Sequence, residues 1–218
     1  MSWARDDAKL ERVRALMAER GLDALVVRAP DNVLYLTSFW GMKGYDVCVF
    51  PREGEPVLIC LEASEEDAAR MAWTSDVRLF KGYDPVDPRP PLARALDVAK
   101  EVAADHGTVA LELTLGTQAA DRMVGEPTTF TRDWFHAFGE NVEDATPLLA
   151  EARAVKTEQE IERMRLANDI AAAAMEHCKL IIQPGMTEAQ IAAEWEGFVH
   201  GEGTGWEGKV ELALGFSL

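Results

Sequence analysis

The sequence predicts an α/β domain, a sheet flanked by helices, followed by the opening helices of a second, α+β domain. Two observations lead there. Helical and strand patterns alternate from Leu10 to about Ala145, enough to build a sheet and the layers that cover it. After Thr157 two long capped helices follow one another, each with one apolar face and few strands left to bury it.

The elements follow in order. Leu10, Val13, Leu16 and Met17 recur at steps of three and four, giving a first helix that Gly21 ends as a C-cap. "LDALVV" is a short apolar strand, and "APDNVLYLTSFWG" opens as a turn and continues as a short helix or irregular segment. "DVCVF" and "PVLIC" read as a hairpin around the turn "PREGE". Ser64 is placed to cap a helix through "EEDAARMAW", and "VRLF" is the next strand. "GYDPVDPRPP" carries too many prolines, which lack a backbone donor, to be anything but a loop. The helix "LARALDVAKEVAADH", the strand "TVALEL" and a short helix near "TQAADRMV" complete the first domain. Its expected extent is residues 1–145, with 146–156 a linker and 157–218 the incomplete start of the next domain.

The second domain opens on a strong local signal. Thr157 and Glu160 form a capping box, each side chain accepting from a backbone N–H that the first helical turn leaves orphaned. Ile161, Met164, Ala167, Ala171, Ala174, Cys178 and Ile181 then make one stripe, expected to be buried. Pro184 and Gly185 stop the helix, and a second box at Thr187 and Gln190 starts another.

Composition excludes several classes. A formal charge of −16 argues against a phosphate-backbone partner, because nucleic-acid binding rests on clustered Lys and Arg. No apolar run approaches the roughly twenty residues of a membrane helix. The charged start "MSWARDDAKLERVR" lacks the apolar core of a signal peptide. Cys48, Cys60 and Cys178 are odd in number and lack metal-ligand spacing, so they read as reduced core thiols of a cytoplasmic protein. Opposite parity around the turn is expected to point Cys48 and Cys60 to different sheet faces.

Candidate chemistry is sparse. "HGEGTGWEG" from His200 follows a helix, where a dinucleotide-binding loop must follow a strand, so it reads as a connection. His106, His136 and His177 have no partner at ligand spacing, and no Ser or Cys sits in a nucleophile elbow. Glu112 ends a strand but shows no second carboxylate beside it. The loop "YLTSFWGMKGYD" sets Trp40 and Lys43 among glycines and aromatics, a composition suited to a binding edge. Tyr35, Leu36 and Phe39 of the same stretch read as sheet-packing residues.

"ERVRALMAERGLDALVV" followed by "DNVLYLTSF" resembles the N-terminal domain of the creatinase, prolidase and aminopeptidase P family, with Ser38 where glycine is usual. Arg153, Lys156, Glu160, Ile161, Met164 and Ala167, then Pro184, Gly185, Thr187 and Glu188, resemble the start of that family's pita-bread catalytic domain. The resemblance implies a mixed sheet in the first domain. It also implies hydrolysis of the bond before proline in a peptide, by two divalent ions (manganese, cobalt or zinc) that activate a bridging water. In the family the ligands of that metal pair lie beyond the matched segment. No residue of this chain is therefore assigned as catalytic or as a metal ligand, and none of these ions is expected on it. A homodimer is implied, in which the loop carrying Trp40 and Lys43 reaches the partner's active site. A creatinase-like, metal-independent hydrolase and a non-catalytic pita-bread binding protein are the alternatives.

Overall fold

The computed structural model describes residues 3–41, 45–112, 136–139, 142–203, 205–206 and 209–210. The chain divides into two compact units, Ser2–Val155 and Lys156–Leu218.

The first unit is built on a six-stranded mixed sheet. Its strands are β1 (Ala24–Val27), β2 (Val47–Pro51), β3 (Val57–Leu61), β4 (Val77–Phe80), β5 (Val109–Leu111) and β6 (Glu143–Asp144), in the order β4-β3-β2-β1-β5-β6. β2 runs antiparallel to both β1 and β3, while the β3–β4, β1–β5 and β5–β6 pairs are parallel. Helices cover both faces, so the central strands are apolar on both sides and read as continuous hydrophobic runs. On one face Leu25, Val27, Cys48, Phe50, Leu58, Cys60 and Ala110 pack with α1 (Asp7–Glu19), α2 (Pro30–Thr37) and α3 (Glu65–Met71). On the other, Ala24, Val26, Val47, Val49, Val57, Ile59 and Leu111 pack with Leu92, Ala95, Leu96, Ala99 and Ala103 of α4 (Pro91–Ala103).

Local chemistry explains the helix ends. Asp6 caps α1 by accepting from the Lys9 amide at 3.2 Å. Gly21, at φ +66°, closes it: the Gly21 N–H donates to Ala18 O and the Leu22 N–H to Met17 O, a Schellman arrangement. Pro30 opens α2 at a position where its missing N–H costs nothing. Ser64 precedes α3 without a side-chain capping bond, because a 3-10 turn at Glu62–Ser64 leads into that helix.

Residues 146–154, expected within a linker, instead form α5 (Thr146–Ala154). Leu148, Leu149 and Ala152 are buried with α1 in the first core, so the apolar periodicity of "TPLLAEARA" belongs to the sheet unit. The expected parity of the cysteines also fails. The hairpin register sets Cys48 opposite Leu58, two residues from Cys60, so both thiols lie on the same face and in the same core. They are diagonal neighbours, about 7–8 Å apart by strand geometry, and all three cysteines are free and buried.

The second unit holds α6 (Glu158–Ile181) and α7 (Glu188–Gly203), with a two-stranded ribbon of β7 (Gly205–Trp206) and β8 (Lys209–Val210). Both capping boxes form: Thr157 with Glu160, and Thr187 with Gln190. Of the expected α6 stripe, Ala174 and Cys178 are buried and Ile161, Ala167, Ala171 and Ile181 only partly so, while Ile170, outside that stripe, is buried with Ala174 against Val199, Trp195 and Phe198 of α7. Met164, expected inside the stripe, is half exposed, as are Leu166, Met175 and Ile182 on the shoulders of that seam. One helix covers only the middle of an arc this wide. The short helix expected near residues 117–124, and the "ELALGF" part of the expected last strand, lie outside the described residues.

Candidate functional site

Two polar groups of the first unit lie at the ends of α2. At its start, β5 delivers Glu112 into the interior, where the residue is 2 % exposed. Its Oε2 accepts from the backbone N–H groups of Arg28 (3.1 Å) and Ala29 (2.8 Å), and Oε1 from the side-chain amide of Asn32. A carboxylate there meets the orphaned donors and the positive end of the helix. Burial raises the Glu112 pKa above the usual carboxylate range, while those donors and the nearby Arg28 pull it down. Asn32 Oδ1 in turn accepts from Arg153 Nη1 at 2.8 Å, at the end of α5.

Arg153 also lies over the Tyr35 ring, 5.8 Å from its centroid, and Lys9 Nζ lies 4.5 Å from the same centroid. The Tyr35 hydroxyl donates to Ala152 O at 3.2 Å. The chain Glu112–Asn32–Arg153–Tyr35–Lys9 thus ties β5, α2, α5 and α1 together. A carboxylate saturated by fixed donors is poorly placed to move protons for a substrate, so this network positions elements.

At the other end of α2, Ser38 takes the left-handed conformation, φ +62°. That is the geometry glycine adopts without strain, which accounts physically for the glycine usual at this position. Phe39 turns back into the core and Trp40 is half buried. Lys43 lies outside the described residues. Asp46 follows, 6 % exposed, with Oδ1 lacking a hydrogen-bond partner among the described residues. A Cβ added at Gly41 would overlap its carboxylate, so only glycine lets the chain pass so close. Burial pushes the Asp46 carboxyl up to about 7, against the pull of the nearby backbone N–H groups of Leu61 and Asp46 itself. Alternation along "DVCVF" puts Asp46 in phase with the buried Cys48 and Phe50, the one sequence signal of its burial.

The remaining candidates are ordinary. His177 stacks on Phe198, centroids 4.8 Å apart, as a packing residue of the α6–α7 seam. His200 lies within α7 rather than in a loop. Among the described residues no three His, Cys, Asp or Glu side chains converge as a metal site, so the described residues do not fit a metal pair. No described helix is long and apolar enough to cross a membrane.

A mixed sheet with α4 on one face, with α2 and the Ser38 turn on the other, and with the capped α6 after it, is the arrangement that matters for kinship. The Creatinase/Prolidase N-terminal domain model matches residues 9–167, well over half the chain. The chain belongs to this family. Among curated relatives it is 28% identical over 192 residues to the ectoine hydrolase of Halomonas elongata, covering 85% of this chain and 46% of that protein. It is 24% identical over 194 residues to the Xaa-Pro dipeptidase of Lactobacillus delbrueckii subsp. lactis, covering 86% and 48%. Among solved structures, the X-Pro aminopeptidase of Thermotoga maritima MSB8 superposes with a TM-score of 0.68 at 24% identity, covering 90% of this chain and 50% of that one. The prolidase of Pyrococcus horikoshii OT3 gives 0.64 at 18%, covering 91% and 50%. The chain therefore spans about half the length of the relatives it matches.

Proposed function

We propose that this chain is the front portion of a Xaa-Pro peptidase, hydrolysing the bond that precedes proline in a dipeptide or at a peptide N-terminus. The observation that carries the reading is the joint match of the N-terminal domain and the capped start of the following unit, residues 9–167, to a family that includes Xaa-Pro dipeptidases. In the complete protein two divalent ions, manganese, cobalt or zinc, would activate a water and polarise the scissile carbonyl. Their ligands would lie outside the segment described, so this chain alone is expected to be inactive, and no step is assigned to its residues. Its contribution is support. The sheet unit holds the segment around Trp40, and in a homodimer that segment, with Lys43, would line the partner's substrate pocket, where an aromatic and a cation suit a peptide.

A second reading has its own support: the 28% identity to an ectoine hydrolase favours cleavage of a small cyclic amidine over a peptide. A turnover panel on the complete protein separates the two. Release of free proline from Xaa-Pro dipeptides, with ectoine left intact, is expected. Ectoine opening without dipeptide cleavage would reassign the substrate to the second class.

A further inference from the structure

The hairpin register, extended one residue beyond its last pair, sets Asp46 opposite Cys60 on the core side of the sheet. There the carboxylate is enclosed, in contact with the Gly41 backbone, with one oxygen unpartnered among the described residues. The titratable group facing it is the Cys60 thiol on β3, itself pushed up to about 12 by burial and by the negative charges of Asp46 and Glu65. Glu65 opens α3. These neighbours are acidic, and no cationic side chain among the described residues supports the ionised form of Asp46. An ionised carboxylate that finds no counter-charge among the described residues, with a lone pair unmet by them, is costly in such a place, whereas the neutral acid is tolerated.

We propose that Asp46 is a proton-operated fastener: its neutral carboxyl holds Gly41, and with it Trp40, against the start of β2, and its ionisation releases them. The inference goes beyond the peptidase reading, since it concerns local opening of this unit whatever the protein cleaves. The sign follows from linkage. The closed form binds the proton more tightly than the open form, so closure is favoured at low pH and is lost as pH rises through about 7.

The test uses the 218-residue chain. Amide hydrogen exchange at residues 38–41, corrected for intrinsic rates, is followed from pH 5.5 to 8.5 in the wild type and in Asp46→Asn. Expected is a loss of protection as pH rises from 5.5 to about 7, up to about tenfold per pH unit, levelling off above neutrality where both forms are ionised, and absent from the variant. Flat wild-type protection, or the same loss in the variant, overturns the proposal. Should the variant not fold, carbon-13 NMR of the wild-type Asp46 carboxyl decides alone. Titration near 7 supports the fastener, and titration in the ordinary carboxylate range overturns it.

Discussion

Replacing Glu112 by alanine should be among the most damaging single changes in the sheet unit. Three donors converge on its carboxylate: the N–H groups of Arg28 and Ala29 and the side-chain amide of Asn32. Leaving a buried donor unmet costs about 1–3 kcal/mol, and three that share one acceptor do not add fully. A loss of about 4 kcal/mol is therefore expected, a large fraction of a typical domain's stability. Glutamine should cost less, about 1–2 kcal/mol, because one oxygen still serves the two backbone donors while its NH2 opposes the Asn32 amide. The charge adds a pH signature. The folded-state pKa of Glu112 is raised, so the stability it contributes is full at low pH and falls as pH rises through the folded value. The glutamine penalty should accordingly shrink from acid to neutral pH. Urea unfolding of the 218-residue chain at several pH values measures each quantity. An alanine variant within about 1 kcal/mol of wild type would show that the network does not hold α2 to β5.

Ser38→Gly should stabilise the chain by about 0.5–1 kcal/mol, since left-handed geometry costs an L-residue about 1–2 and glycine gives back part of that in unfolded freedom; an unchanged or lowered urea midpoint would contradict the strained turn. Alkylation of unreduced, unfolded protein should add three labels by mass, and one label would reveal a disulfide between two of the cysteines. In the complete protein, Lys43→Ala should lower turnover with little change in the unfolding midpoint, and unchanged kinetics would remove Lys43 from the substrate pocket.

Much of this architecture was legible in the chain because it is written locally. Gly21, the Thr157–Glu160 box and the apolar spacing of α1 each impose their structure within a few residues, and each stands where the pattern puts it. What was not legible is set by pairing between distant segments. The Asn32–Arg153 contact joins positions far apart in sequence, so Glu112 read as a solitary carboxylate. Cys48 and Cys60 share a face because of the hairpin register, which the turn "PREGE" did not specify unambiguously. "TPLLAEARA" follows the last expected strand and so has the place of a connection, while its apolar face is used by α1. Asp46 shows the same division, since it is meaningful only once β3 lies opposite and Gly41 lies against its carboxylate.

The central claim is that this chain supports a hydrolase whose chemistry it does not itself contain. Turnover of a Xaa-Pro dipeptide with added manganese, cobalt or zinc, measured on the 218-residue chain beside the complete protein, tests it most directly. Proline release by the complete protein and none by the 218-residue chain is the expected result. Metal-dependent proline release by a sequence-verified 218-residue chain would contradict it, and would place a working metal pair among residues credited here with support alone.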